Sequence, residues 1–308
     1  MKYSIIFLVE EENDEFSGFF DLIYELFEEQ DEDFEVMVVA NGTESFVMCR
    51  LNSHKNNLEN LKVVAFQKKV PQPVCLKVAL RECSGTEILT LSPYQELSST
   101  SYEEVIRSMV PGVDLVVPYR KRRKDAFINR LHSRILNAAV KWVLGVKLND
   151  IGCNVKFFRR EVLEELELYG NMYKYFSALA LQKGFRIKEI ECDQSEKARK
   201  SKLYNLRLYL NRLTEILNLF FSTRFSKKPL RFFSLIGASF MAVGILALGY
   251  VGIEKVIFDV PIGARPLLMI GMIGLVGGTQ MASFGLLGEI ISFVHGRSRK
   301  EYRIEKVI

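Results

Sequence analysis

The sequence predicts an α/β domain on a mostly parallel sheet, followed by a C-terminal pair of membrane-crossing helices. Three observations carry this. Short apolar runs of strand character alternate with helix-periodic segments from Tyr3 to Pro118. Charges recur every few residues up to Lys228, then vanish from Phe232–Ile253 and again from Pro266–Gly288. At about 1.5 Å per residue, each of those stretches crosses a hydrocarbon core of about 30 Å. A chain of 308 residues that is 48% hydrophobic also has room for one sizeable core plus a smaller unit.

The elements follow in order. Tyr3–Val9 (YSIIFLV) reads as a buried strand, and residues 15–29 as a helix with Phe16, Phe19, Phe20, Ile23 and Phe27 on one face. Phe34–Val39 is a second strand, ending in the turn Ala40-Asn41-Gly42-Thr43. Leu61–Phe66 is a third strand. After Pro71 and Pro73 a helix runs to about Glu82, and Glu87–Leu91 is a fourth strand. A helix over 102–110 and a strand over Asp114–Pro118 complete the alternation. In a parallel sheet covered on both faces, ligands sit beyond the carboxyl ends of the strands. The turns after Val39 and Leu91 are therefore the places to look for chemistry.

The two apolar stretches are too long for ordinary core helices, and their Phe, Leu, Ile and Val residues outweigh the glycines at 237, 244, 249 and 252. Arg224, Lys227, Lys228 and Arg231 precede the first; Arg297, Arg299, Lys300, Arg303 and Lys306 follow the second. The loop between them sets Lys255 and Arg265 against Glu254 and Asp259. The positive-inside bias predicts a multi-pass protein of the inner or plasma membrane with both termini cytoplasmic. Met1–Val9 reads as a strand rather than a signal peptide. The glycines fit close packing within one hairpin or between copies. Cys49, Cys75, Cys83, Cys153 and Cys192, at no metal-like spacing, read as reduced thiols, and His54, His132 and His295 form no cluster.

Beyond Pro118 comes the cationic run Arg120-Lys121-Arg122-Arg123-Lys124, leading into a helix over about 127–144 with Arg130, Arg134 and Lys141 on its polar flank. Such a run fits a solvated face, a nucleic acid or anionic lipid. Beside membrane-crossing segments, anionic lipid is the reading preferred, and no nucleic-acid partner is expected. Residues 205–225 are amphipathic, abut the first apolar stretch, and read as an interfacial helix.

Together these features resemble the family-2 glycosyltransferases that charge polyprenyl phosphates, the dolichol-phosphate mannose synthase and bactoprenol glucosyltransferase group. The likeness covers nearly the whole chain and is strongest in its second half. It runs through the strand DLVVPYR, Arg130-Leu-His-Ser133, Asn149-Asp150-Ile-Gly-Cys153 and Lys156-Phe-Phe-Arg159-Arg160. Ser201-Lys202, with Tyr204 close by, resembles a Ser-Lys-Tyr element. Lys228-Pro229-Leu230-Arg231-Phe232 resembles the entry to the first span, and Gly277-Gly278-Thr279-Gln280 with Gly288-Glu289 resembles points in the second. The resemblance implies a GT-A-like (Rossmann-like) domain over 1–204, a juxtamembrane amphipathic helix over 205–228, two transmembrane helices over 229–296 and a basic tail over 297–308. It implies Asp150 as the catalytic carboxylate near the acceptor, orienting its phosphate or acting as base. Arg130, Ser133, Ser201 and Lys202 would contact acceptor phosphate, with Arg122 and Arg123 of the basic run beside them. The partners implied are a membrane polyprenyl phosphate and a nucleotide sugar, with a homo-oligomer or a partner membrane protein also compatible.

The first half departs from the family's pattern. Its Pro-x-Tyr-Asn-Glu-Glu turn is Leu8-Val9-Glu10-Glu11-Glu12-Asn13 here, and its nucleotide-binding Asp-Asp-Gly-Ser is Ala40-Asn41-Gly42-Thr43. Its metal-binding Asp-x-Asp is Ser92-Pro93-Tyr94. Asn41, Ser92 and Tyr94 thus stand at degenerate nucleotide-binding positions, and no metal ligand is assigned. The family's Mg²⁺ or Mn²⁺ needs carboxylate oxygens. Glu96, the nearest, lies two residues past the motif and would need a rearranged loop. Lys68, Lys69 and Lys77 are the neighbouring cations that could replace a metal. Two readings follow: an enzyme transferring sugar from a nucleotide sugar to a polyprenyl phosphate, or a catalytically impaired relative that binds lipid phosphate or assembles with an active transferase. The three altered donor-side motifs lean toward impaired metal-dependent catalysis.

Overall fold

The structure is a computed structural model that describes residues 2–30, 32–51, 60–120, 145–146, 148–150, 152–166, 168, 170, 172–195, 229–258, 261 and 265–296. The chain divides into two compact units.

The first unit is a seven-stranded mixed sheet. Its strands are β1 (Tyr3–Val9), β2 (Phe34–Asn41), β3 (Leu61–Phe66), β4 (Glu87–Leu91), β5 (Leu115–Arg120), β6 (Lys156–Arg159) and β7 (Ile187–Cys192), in the order β3-β2-β1-β4-β6-β5-β7. β1 is parallel to β2, with Tyr3 opposite Phe34, and to β4, with Tyr3 opposite Glu87. Its run, apolar but for Ser4, is buried at all seven positions, as a central strand covered on both faces requires. The alternating side chains feed two cores. On one face Phe7 meets Phe16, Phe19 and Phe20 of α1 (Phe16–Glu28), with ring centroids 5.6–5.7 Å apart. On the other, Ile6, Leu8, Met37 and Val39 pack on Cys75, Leu76 and Ala79 of α3 (Gln72–Glu82). α2 (Glu44–Leu51) lies between β2 and β3 in the chain.

The second half of the sheet differs from the sequence expectation. β6, only four residues long, inserts antiparallel between β4 and β5, pairing Thr90 with Lys156 and Leu115 with Phe158. β5 runs to Arg120 rather than stopping at Pro118, because parallel pairing with β7 continues through Tyr119–Glu191 and Arg120–Cys192. The helix expected over 102–110 is α4 (Ser99–Arg107). Ser98, in extended conformation, opens it. Val110 precedes Pro111, where the helical region is disfavoured, so the helix cannot reach it. The described residues of this unit also form two short helices, α5 (Arg160–Glu165) and α6 (Phe176–Lys183), with a 3-10 turn at Met172–Tyr175 between them. The expected helices over 127–144 and 205–228 lie outside the described residues.

The second unit is a helical pair, α7 (Pro229–Phe258) and α8 (Pro266–Gly296), that fits a transmembrane hairpin. Only 17% of each helix's most apolar window is buried, which a soluble core helix would reverse. The two helices touch where side chains are absent. A Cβ on Gly244 would lie 2.8 Å from Leu275 N, and one on Gly237 2.7 Å from Gly278 O. These glycines therefore serve packing within the hairpin. Hydroxyls on the exposed faces turn back onto the helix: Ser239 Oγ donates to Leu235 O and Thr279 Oγ1 to Leu275 O, both at 2.9 Å.

Candidate functional site

The carboxyl ends of β1 and β4 open into a cleft whose lining includes Leu8, Glu10, Glu11, Gln72, Ser92, Tyr94, Asn154 and Tyr173. Its described charged lining residues, Glu10 and Glu11, are both acidic, so this cleft suits hydroxyl and N–H donors better than phosphate oxygens.

Behind the cleft lies a buried polar cluster. Beyond β4 the chain turns so that the Glu96 carboxylate folds back toward the strand end. Tyr102 of α4, fully buried, pins this turn by accepting hydrogen bonds from the Glu96 and Leu97 N–H groups at 3.2 and 3.4 Å. Glu96 Oε1 accepts from Ser92 Oγ and from Asn154 Nδ2, both at 2.8 Å. Glu96 Oε2 accepts from the Asn154 N–H at 3.3 Å and lies 3.8 Å from Arg120 Nη1. Arg120, the last residue of β5, donates from Nε to Asp150 Oδ2 at 2.9 Å. Asp150 Oδ1 accepts from Gly152 N–H at 3.0 Å, so this carboxylate also closes its own turn. Asn149 beside it is tied to Glu189 of β7 through backbone N–H and side-chain Nδ2.

Two cations balance the two carboxylates. Burial alone would lower the Arg120 pKa, but Asp150, Cys153 and Glu96 outweigh it and hold the guanidinium charged. Lys156, at the start of β6, is 1% exposed, donates to Cys153 O at 2.9 Å, and lies 4.3 Å from the centre of the Tyr173 ring. Burial lowers its pKa to about 8, with Cys153, Glu96 and Asp150 opposing the shift. Burial pushes the Cys153 thiol well above its ordinary value, which makes it an inert packing group.

The positions singled out from sequence separate into groups. Ser92 and Tyr94 line the cleft, and Asp150 joins them through Arg120, Glu96 and Asn154; Asn154 Nδ2 also reaches Tyr94 OH at 3.4 Å. Asn41 does not line it: its amide pairs with the Val70 backbone, donating to O and accepting from N–H at 2.8 Å each, and donates to Glu10 Oε1 at 3.2 Å. Arg122, Arg123, Arg130, Ser133, Ser201 and Lys202 lie outside the described residues. Of the cations considered as metal replacements, Lys69 donates to Glu10 O at 3.4 Å, while Lys68 and Lys77 are exposed.

Arg120 and Asn154 were missed, and Glu96 was considered only as a substitute metal ligand. Its carboxylate returns to the strand end, where it accepts from Ser92 Oγ four residues back, but it does not line the cleft. Arg120 looked like the first member of a solvated cationic run, yet its side chain is 13% exposed and faces inward. The available signal was its place at the end of a buried strand.

A divalent cation of the Mg²⁺ or Mn²⁺ class needs hard anionic oxygens. This strand end offers a serine hydroxyl, a proline, a phenol and a carboxylate already held by Ser92, Asn154 and Arg120. Among the described residues no three His, Cys, Asp or Glu side chains gather into a metal-holding group. The donor set does not fit such a cation.

No family model matches the chain. It is 27% identical over 241 residues to a dodecaprenyl-phosphate galacturonate synthase of Rhizobium johnstonii, covering 77% of this chain and 71% of that one. It is 23% identical over 285 residues to an undecaprenyl-phosphate 4-deoxy-4-formamido-L-arabinose transferase of Pseudomonas syringae, covering 91% and 83%. Among solved structures, the fold matches glucosyl-3-phosphoglycerate synthase of Mycobacterium tuberculosis, crystallised with Mn²⁺, uridine diphosphate and phosphoglyceric acid. That match has a TM-score of 0.51 at 15% identity, covers 72% and 78% of the two chains, and speaks to the fold alone.

Proposed function

The chain's homologues are polyprenyl-phosphate sugar transferases of glycosyltransferase family 2 and its fold is GT-A, and from that premise we propose that it transfers a sugar from a nucleotide sugar to a polyprenyl phosphate at the cytoplasmic leaflet. The observation that carries this reading is the buried Asp150–Arg120 pair, joined through Glu96 to a cleft at the carboxyl edge of the sheet. In the reaction proposed, an acceptor phosphate oxygen attacks the anomeric carbon. The bond from that carbon to the donor diphosphate breaks, and the nucleoside diphosphate leaves with the electron pair. The acceptor phosphate is already ionised at neutral pH, so the protein has little proton to remove and must chiefly position charge. Asp150 does so by fixing Arg120. The cleft receives the hydroxyl-rich, N–H-bearing part of the donor. Both chain ends lie in the cytoplasm on this reading, supported by the cations flanking the apolar helices.

A second reading rests on Ser92-Pro93-Tyr94, where the donor set does not fit a divalent cation: a relative that binds lipid phosphate without turnover. The comparisons do not favour it over the transferase. One experiment separates the two. The full chain in lipid nanodiscs containing undecaprenyl phosphate is given a panel of nucleotide sugars, and lipid-linked sugar is measured by mass spectrometry. Transfer is expected, and Asp150→Asn lowers it by about a hundredfold or more. Lipid-phosphate binding with no transfer from any donor would leave the second reading standing, and unchanged turnover in Asp150→Asn would remove Asp150 from the mechanism.

A further inference from the structure

We infer that Glu96 is a positioning residue that ties the contents of the cleft to the orientation of Arg120 and Asp150. The inference rests on the transferase reading and assigns to it a residue outside any recognised motif of this chain. Glu96 is 3% exposed and does not line the cleft, yet its carboxylate touches both cleft-lining residues and Arg120, with the Asn154 N–H on Oε2 at 3.3 Å. Oε1 holds Ser92 Oγ and Asn154 Nδ2, side chains of two cleft-lining residues, at 2.8 Å. Oε2 faces Arg120 Nη1 at 3.8 Å, and the same guanidinium donates Nε–H to Asp150 at 2.9 Å. Arg120 is therefore shared between two buried carboxylates. Its balance between them depends on how well Glu96 is otherwise satisfied.

The donors on Oε1 make that balance adjustable. A hydroxyl rotor and a carboxamide can turn to a ligand in the cleft, whereas a backbone N–H cannot. When Ser92 or Asn154 turns toward a ligand, Oε1 loses a donor. The uncompensated charge on Glu96 then draws more strongly on Arg120, because charges attract strongly where water is excluded. The guanidinium shifts relative to Asp150, so filling the cleft resets the group that orients the acceptor side. Lys156, held on Cys153 O beneath the cleft wall, stays where it is and keeps the cluster near neutrality.

The test reads Arg120 directly. The full chain in nanodiscs is labelled with ¹⁵N-arginine, and the Arg120 Nε–H resonance is identified by its loss in Arg120→Lys. Glu96→Gln, which keeps shape and removes charge, is expected to move this resonance, and Glu96→Asp to bring it part of the way back. Ser92→Ala is expected to move it in the native background and to leave it still in Glu96→Gln. In the transfer assay, Glu96→Gln lowers kcat by about tenfold to a hundredfold while KM for undecaprenyl phosphate changes less than about threefold. A Glu96→Gln resonance that stays in place, or a Ser92→Ala shift of equal size in both backgrounds, overturns the inference. A wild type that transfers no sugar from any donor defeats the transferase reading instead, and the resonances still decide the role of Glu96.

Discussion

The two edges of one sheet each carry a buried glutamate. At the amino edge Glu35 of β2 is 1% exposed and accepts from Ser4 Oγ at 2.8 Å, Ser84 Oγ at 3.1 Å and Gly85 N–H at 3.1 Å. It also accepts from the Ser84 N–H and from Lys62 Nζ, the latter at 3.0 Å. At the carboxyl edge Glu96 is also buried, but it accepts from the side chains of Ser92 and Asn154 and from one backbone N–H, of Asn154, with Arg120 Nη1 3.8 Å away. The difference lies in the backbone share: the N–H groups of both Ser84 and Gly85 hold Glu35 beside three side-chain donors, whereas Glu96 accepts a single backbone N–H, from Asn154. Backbone N–H groups on a fixed turn hold Glu35 in one arrangement, and its partners close the amino ends of β1, β2 and the loop before β4. Side-chain donors at the other edge can exchange partners. The same residue type thus makes a brace at one edge and an adjustable contact at the other.

The largest way to break this comparison is Glu35→Ala. It strands buried donors on Ser4, Ser84 and Gly85, and the expected loss is about 3 kcal/mol of folding stability. A denaturation midpoint read by circular dichroism checks it, with transfer per folded molecule unchanged. Little change in the midpoint would mean the brace is ornamental. The brace also predicts a pH dependence. Burial by itself would raise the Glu35 pKa, but the Ser84 N–H, the Ser4 hydroxyl and Lys62 outweigh it and hold the folded value at about 2, below its ordinary 4.5. A carboxylate with a depressed folded pKa contributes stability that is full above its unfolded pKa and is lost as pH falls through the folded one. The native chain should therefore lose stability from about pH 4.5 down toward pH 2, and Glu35→Gln should flatten that part of the curve.

A step smaller is Gly85→Ala at the same edge. A Cβ there would lie 2.4 Å from Ser4 Oγ and 2.7 Å from Ser4 N, too close for any side chain, and the second contact is backbone that cannot swing aside. The expected cost is about 2 kcal/mol, read from the same midpoint. If Ser4→Ala fully rescued it, the hydroxyl alone would be the obstacle and the edge would be less rigid than its hydrogen bonds imply.

How much of this could be read from sequence follows the same division. The largely apolar YSIIFLV run, the helical spacing of Phe16, Phe19, Phe20, Ile23 and Phe27, and the charge-free apolar stretches report local burial, so β1, α1, α7 and α8 were legible. β6 was not. Four residues beginning with a buried lysine carry no periodic signal, and only its place between β4 and β5 makes it a strand. Family resemblance pointed to Asp150, and Glu96 stood out only as the carboxylate nearest the altered metal motif, while Arg120 was hidden by its charge. Such residues read as surface unless partners are known. Here the partners lie far along the chain: Asp150 is 30 residues beyond Arg120, and Asn154 is 58 residues beyond Glu96.

Tyr102→Phe is the mildest test, and it sharpens the contrast by attacking a fixed support of the turn at the carboxyl edge. The Tyr102 hydroxyl accepts from the N–H groups of Glu96 and Leu97 at 3.2 and 3.4 Å, bonds longer than those Glu35 makes to its hydroxyl and backbone partners. Its ring stays packed 5.5 Å from Phe19 in the variant, so the helix α4 loses no apolar contact. The expected cost is about 1 kcal/mol, less than Glu35→Ala because only one oxygen is withdrawn and the donors face a turn that can relax. Glu96 is then held through the side chains of Ser92 and Asn154, the nearby Arg120, and its own carbonyl, which accepts from the Ser195 N–H at 3.0 Å. Amide hydrogen exchange at Glu96 and Leu97 should accelerate by about tenfold while exchange at Gly85 stays as it was. Equal acceleration at both edges would mean that the unit opens as a whole, and the distinction between a braced edge and an adjustable one would fall.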